Sequence, residues 1–432
     1  MPRSVQHHKL GGEDLDARRL VALARSEDHF SYSEAAVARL ASERSVVEAH
    51  LASGEPVYGL NTGLGGNLGY RLEDDEVVAY QRQIIRGRMI GMGPPLPLEV
   101  VRAALLARCT SLAKGGSGVS PGAAQALLAL LDSGVTPLVP IHGSIGAGDL
   151  GLCAHMVAPV IGEGEAFYRG HRLSGEKALA AAGLSPVALQ AKDGLGLINA
   201  SPLAAGYGAV VQCLADDYLL VAAAVAALTD EGYAANLTVF DARIAAARPA
   251  PGQADAAARF RTLLAGSSLH DGKPRSIQDA LSFRTMAPLF GSAWSALAAL
   301  SDAMHAEING TADSPLVLVA QGAMLSSPNF HTPGIALGFD SLAIAVTHLA
   351  SASVQRIIKL QTAHLSGLPK YLSPVGGASV GFNAMQKTAA ALYAAIRPFM
   401  DDSPLTNFVD LYTATPSVVD TTQVLQIGRA HV

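Results

Sequence analysis

Apolar residues recur along this chain at helical rather than strand spacing. Between residues 14 and 52, Leu20, Val21, Leu23, then Ala36, Val37, Leu40 and Val46 fall at the three- and four-residue intervals of amphipathic helix. The pattern breaks into a glycine-rich loop at 55–70 and returns over 74–88 and 98–133. It breaks again over 134–149, where Pro137, Pro140 and several glycines interrupt it. Long Ala/Leu/Val stretches over 203–249, 278–310 and 336–364 lack alternation and predict long helices. Short extended pieces are expected near Glu165–Leu173 and Leu316–Ala323, where glycine turns punctuate the chain. The pattern predicts an all-α protein. A smaller, loop-rich N-terminal part (1–200) would precede a central bundle of long helices (201–425).

Composition agrees with a large helical core. Half of the residues are hydrophobic and only 16% are charged, with few aromatics and much alanine, which favours close helix packing. A net charge of −5 leaves no basic face for nucleic acid. Cys109, Cys153 and Cys213 have neither metal nor disulfide spacing, so no metal is expected and a reducing compartment suits them. The polar N-terminus has no signal-peptide pattern. Tyr218–Thr229, the longest apolar run, is shorter than a bilayer span and is flanked by Asp216, Asp217, Asp230 and Glu231. It reads as a core helix, and a cytoplasmic protein without membrane or nucleic-acid partners is expected.

Several segments carry chemistry. Residues 143–155 read Gly-Ser-Ile-Gly-Ala-Gly-Asp-Leu-Gly-Leu-Cys-Ala-His. Residues 57–65 read Val-Tyr-Gly-Leu-Asn-Thr-Gly-Leu-Gly, and 192–199 read Lys-Asp-Gly-Leu-Gly-Leu-Ile-Asn. Residues 276–284 read Ser-Ile-Gln-Asp-Ala-Leu-Ser-Phe-Arg. Further segments are Ser111–Val119, Asn309–Leu316, Asn329-Phe330-His331 and Ser366–Pro369. Together, over about 10–425, they resemble the aromatic amino acid lyases, the histidine, phenylalanine and tyrosine ammonia-lyases. The resemblance implies a helical bundle of the ammonia-lyase type, assembled as a homotetramer with active sites shared between subunits. It implies an amino acid or related small molecule as substrate. By its motif Tyr58 is the candidate base that takes the substrate's β-proton. A tyrosine with an ordinary pKa near ~10 needs nearby cations or oriented dipoles for that task. Arg284 would grip the substrate carboxylate with a bidentate fork. Asn199, Gln278 and Phe330 would line the substrate.

The chain also departs from the family pattern. Family members build a methylidene-imidazolone electrophile from an Ala-Ser-Gly triplet, whereas here Ala147 runs directly into Gly148 and Asp149. Residues Gly146, Ala147, Gly148 and Asp149 thus form a degenerate cofactor loop, and no such cofactor is expected. Ser144 cannot substitute, because its C-terminal neighbour is Ile145 and the cyclisation needs a glycine nitrogen. The family's substrate-contacting histidine is replaced by Arg88, and the tyrosine of its Gln-Asp-x-Tyr motif by Leu281. Lys387 stands where ordinary members carry an apolar residue. The family's Gln-Glu-Asp-His segment has no equivalent in 418–423. Gln426–Val432 matches the translation of a common sequencing adapter, so a non-native tail and a natural continuation past Leu425 are expected.

The joint changes point to a divergent branch of the family, such as the ergothionases, which work without the electrophile. The reading is a carbon–nitrogen lyase that eliminates an amine from a histidine-like or aromatic amino acid or its betaine. Tyr58, Arg88 and Lys387 would be its catalytic groups. Two alternatives stay open: a conventional ammonia-lyase, and a catalytically inactive scaffold homologue.

Overall fold

The structure is a computed structural model that describes residues 5–144 and 146–397. Segments 418–423 and 426–432 lie outside the described residues. Long helices dominate, and the strands form only two- and three-stranded sheets. The chain divides into two compact units, residues 1–213 with 301–335 and residues 214–300 with 336–432.

In the first unit, the periodic stretch over 14–52 is two helices rather than one, Ala17–Ala24 and Glu34–Ser53. Each is opened by a side-chain cap, Asp16 accepting from the Arg19 amide and Ser33 from the Ala36 amide. Between them His29–Tyr32 pairs in parallel with His7–Leu10, burying Phe30 and Tyr32 on one face. The expected helix over 98–133 is likewise split into Leu98–Lys114 and Pro121–Ser133. The cause is the turn at Gly115–Gly118, which wraps the Glu43 carboxylate. Glu43 accepts from the Gly116 amide at 2.6 Å and the Gly118 amide at 2.9 Å. A Cβ on Gly115, at φ +101°, would stand 2.2 Å from a Glu43 oxygen, so only glycine fits there.

Leu98–Lys114 is buried almost all round from Val100 to Ala113, as expected of a central core helix. Arg108 on it is 1% exposed and donates to the Gly196 and Ala312 carbonyls. The extended pieces expected near 165–173 and 316–323 are antiparallel hairpins, Glu165–Tyr168 with His171–Ser174 and Leu316–Leu318 with Ala323–Leu325.

The second unit packs around stacked aromatics. Phe240 lies over Phe260 with ring centroids 4.8 Å apart, Phe290 meets Phe260 edge-on at 5.2 Å, and Tyr233 stacks on Phe283 at 3.9 Å. The longest helices are Pro202–Tyr233, Met286–Asn309 and Pro333–Leu360. The apolar run Tyr218–Thr229 lies within Pro202–Tyr233, and the rest of the stretch expected to be helical over 203–249 is broken into the short helical segments Leu237–Phe240 and Ala242–Ala247. By length and composition alone, Asp193–Tyr233 and Pro333–Leu360 are long and apolar enough to cross a membrane, as core helices of folded proteins also are.

Candidate active site

The degenerate loop sits in the first unit and is pinned from several sides. The Asp149 amide donates to the Ala200 carbonyl at 2.8 Å. Its carboxylate accepts from the Ser144 hydroxyl at 2.8 Å and from the Ala204 amide at 2.8 Å. Burial pushes the Asp149 carboxyl up, and these donors oppose it. Ala147 forms an antiparallel bridge with His331. The His331 Nδ1 lies 2.9 Å from the Gly146 carbonyl, which can only accept, so Nδ1 carries the proton of that bond. Phe330 flanks Gly148: a Cβ on that glycine would lie 3.8 Å from the Phe330 Cβ. Phe330 is held in turn by the Ser201 hydroxyl, which donates to its carbonyl at 3.1 Å.

Asn199 follows the short helix Asp193–Ile198 and is buried. Its amide nitrogen donates to Asp313 Oδ1 and to the Ser314 carbonyl, both at 3.0 Å. The other Asp313 oxygen accepts from Lys192 Nζ at 3.1 Å, and Lys192 also donates to the Ser117 carbonyl at 3.0 Å. Lys192 and Asp313 are fully buried. Burial pushes the Asp313 carboxyl up, while the Lys192 ammonium and the Arg108 guanidinium oppose it. With both amide protons committed, Asn199 keeps its carbonyl oxygen for a further partner.

The Tyr58 loop is tied to the same helix. Gln81, fully buried, accepts from the Gly194 amide at 3.0 Å and donates to the Gly59 carbonyl at 3.5 Å. Gly59, at φ +66°, allows the approach: a Cβ there would lie 2.2 Å from a Leu195 methyl. Tyr58 itself is 38% exposed, and its hydroxyl accepts from the Gly65 amide at 3.2 Å. Arg88 is half-buried, donates to the Ile84 carbonyl at 3.2 Å, and its own carbonyl lies beside Gly151. Tyr58, Asn199, Phe330, Arg88 and the loop 146–149 thus belong to one unit, where Gln81 ties the Tyr58 loop to the helix before Asn199 and His331 ties the segment after Phe330 to Gly146.

The other candidates lie in the second unit. Gln278 is exposed, and the Ser276 hydroxyl donates to its carbonyl at 2.7 Å. Arg284 ends the short helix Leu281–Arg284, half-buried, and its side chain has no hydrogen bond or ion pair among the described residues. Asp279 accepts from the Asn236 amide at 2.6 Å. Nearby Asp230 is buried with neither oxygen partnered, and burial pushes its carboxyl up to about 8, against Arg356. Lys387 is exposed on the helix Asn383–Ile396, and no hydrogen bond or ion pair joins it to Arg284 among the described residues.

Sequence reasoning gave no role to Glu43, Gln81, Lys192, Asp313 or Glu307. Lys192 and Asp313 lay inside quoted motifs and so had a signal. Glu43 and Glu307 sit in helices where a glutamate reads as surface, and nothing in their spacing marked them.

The family profile of aromatic amino acid lyases matches residues 15–401. The histidine ammonia-lyase of Alkaliphilus metalliredigens is 38% identical over 386 residues, 89% of this chain and 76% of the relative. That of Anaeromyxobacter sp. is 39% identical over 395 residues, 89% of this chain and 78% of the relative. Among solved structures, the ergothioneine-degrading ergothionase of Treponema denticola superposes with a TM-score of 0.87 at 27% identity, covering 98% of this chain and 88% of that one. The histidine ammonia-lyase of Trypanosoma cruzi gives 0.81 at 27% identity, covering 98% and 81%. The mostly helical fold, the motifs and these likenesses lead to one conclusion: the chain belongs to the aromatic amino acid lyase family, as an enzyme of the ammonia-lyase type.

Proposed function

We propose that this enzyme eliminates an amine from a histidine-like or aromatic amino acid, or from its betaine, without a methylidene-imidazolone. The carrying observation is the degenerate loop. Ala147 is followed directly by Gly148, so the triplet holds no hydroxyl to be lost as water. The nearest serine, Ser144, donates to Asp149, and the Asp149 amide is engaged with Ala200. The residues present do not fit formation of the group.

Without an electrophile the leaving group must depart unaided. A quaternary nitrogen does so more readily than an ammonium, which favours a betaine such as ergothioneine. The likeness to an ergothioneine-degrading enzyme supports that reading. In this scheme the Tyr58 phenolate takes the β-proton, the carbon–carbon double bond forms, and the Cα–N pair leaves with the amine. Arg284, with its donors uncommitted, takes the substrate carboxylate. Arg88 and Lys387 stabilise negative charge developing on the ring or its sulfur. Asn199, Gln278 and Phe330 line the substrate. The degree of identity to curated histidine ammonia-lyases favours a second reading, histidine itself as substrate.

The same proposal includes a homotetramer in the cytoplasm. Leu214, Leu220, Val221, Val225 and Leu228 on Pro202–Tyr233 are exposed, which suits a face covered by partner copies. The three cysteines are free and buried, which suits a reducing compartment. The test is a substrate panel of ergothioneine, histidine, histidine betaine, phenylalanine and tyrosine, read by released amine and by absorbance of the unsaturated acid. Trimethylamine from ergothioneine is the expected result, and no amine from any of the five contradicts the proposal.

A further inference from the structure

A cleft of about 370 Å³ opens in the first unit, lined by the C-terminal end of the helix Met286–Asn309 and by residues 329–335. Its polar lining includes Glu307, Thr311, Asn329, His331 and Thr332. Two of these side chains donate within the protein and keep acceptors free, while the Thr311 hydroxyl donates to the Gly115 carbonyl at 2.8 Å. The Asn329 amide nitrogen donates to the Thr311 carbonyl at 3.3 Å, leaving Asn329 Oδ1 as an acceptor. His331 Nδ1 is spent on the Gly146 carbonyl, so in the neutral ring Nε2 is an acceptor. Glu307 is half-buried, and no hydrogen bond or ion pair reaches its carboxylate among the described residues.

We infer that this cleft binds a small protonated amine, held by N–H bonds to the Glu307 carboxylate, Asn329 Oδ1 and His331 Nε2. An ionised carboxylate that is partly removed from water and lacks a partner is costly, and a cation with N–H donors removes that cost. An anion would be repelled by the Glu307 carboxylate. An apolar ligand would leave them unpaired. The charged and titratable groups facing Glu307 are Asp149 from the degenerate loop, Arg108 from the helix Leu98–Lys114, and His331 across the cleft. Burial and Asp149 together push the Glu307 carboxyl up to about 7, against the pull of Arg108. The site is therefore charged above neutral pH and discharged below it. The inference does not rest on the elimination reading: a chain inert toward ergothioneine would still bind an amine here.

The experiment titrates methylammonium chloride into the full-length protein at pH 8, with tetramethylammonium chloride as the N–H-free control and sodium chloride holding ionic strength. Binding is read by calorimetry or ligand-observed NMR. Methylammonium is expected to bind at least tenfold more tightly than tetramethylammonium, to weaken at least tenfold in Glu307→Gln, and to weaken as pH falls from 8 to 6. Ala306→Asp, at an exposed cleft-lining position, is expected to tighten binding several-fold, a gain that misfolding does not mimic. Equal binding of the two cations, no binding of methylammonium, or wild-type affinity in Glu307→Gln would overturn the inference. A parallel ammonium titration separates two sources of the same chemistry. Affinity within tenfold of methylammonium points to a released amine, and a clear methylammonium preference points to an alkylamine from solution.

Discussion

The polar groups around Asn199 and those around Arg284 are built on opposite plans. Around Asn199, Glu43, Gln81, Lys192, Asp313 and Asp149 are buried, and each is hydrogen-bonded within the protein. Around Arg284, the guanidinium has no hydrogen-bond or ion-pair partner among the described residues, and Gln278 is exposed. Asp230 in the same unit has neither oxygen satisfied. A fully bonded network fixes backbone and side chains in place before any ligand arrives. Uncommitted donors are available to a substrate. The first region is scaffold that carries the Tyr58 hydroxyl at its edge, and the second holds side chains without internal partners among the described residues.

The sharpest way to break that comparison is to remove one partner of the buried pair. Lys192→Ala strands Asp313 without its cation, and stability is expected to fall by about 3–5 kcal/mol, the usual cost of an orphaned buried charge. Denaturant unfolding measures it, and a loss under about 1 kcal/mol would show that the network is not scaffold. Arg284→Ala should behave in the reverse manner. Its expected effect is a roughly hundredfold loss in kcat/KM, about 2.8 kcal/mol at 1.4 kcal/mol per decade. Its unfolding midpoint should barely move, because no internal bond is lost.

Asp230 sharpens the contrast through pH. Its carboxyl is raised to about 8 in the folded chain, so between pH ~4 and 8 the native state holds a proton that the unfolded chain has released. Stability from this group is complete below pH ~4 and is lost as pH rises through about 8, at no more than ~1.4 kcal/mol per pH unit. Asp230→Asn, which cannot ionise, is expected to flatten the stability profile between pH 5 and 8. A profile as steep as the wild type would remove Asp230 as its source. The smallest effect is expected for His331→Ala. Loss of the bond to Gly146 costs about 0.5–1.5 kcal/mol. It should appear as faster amide hydrogen exchange confined to residues 146–149, whereas uniform acceleration would mean that His331 supports the whole unit instead.

The sequence made much of this legible, and the misses have physical causes. Long helices such as Pro202–Tyr233 were readable because an apolar pattern of 32 residues averages out local noise. The hairpins near 165–173 and 316–323 were readable from their glycine turns. The parallel pair His7–Leu10 and His29–Tyr32 was not, because four-residue strands are too short to display alternation. The break at Gly115–Gly118 was hidden by continuous apolar spacing on both sides, and its cause, Glu43, comes from a distant helix. Motif segments singled out Tyr58, Asn199, Arg284 and Phe330 as candidates because each lies in a run that resembles the family. The buried Glu43 and the half-buried Glu307 were missed because a lone glutamate on a helix reads as solvent-facing until its neighbours are known.

The account's central claim is elimination without a protein-derived electrophile, and intact-mass spectrometry of catalytically active protein tests it most directly. The account predicts the mass of the unmodified chain in a preparation that releases an amine from its substrate. A mass lower by two waters in the active protein would contradict it.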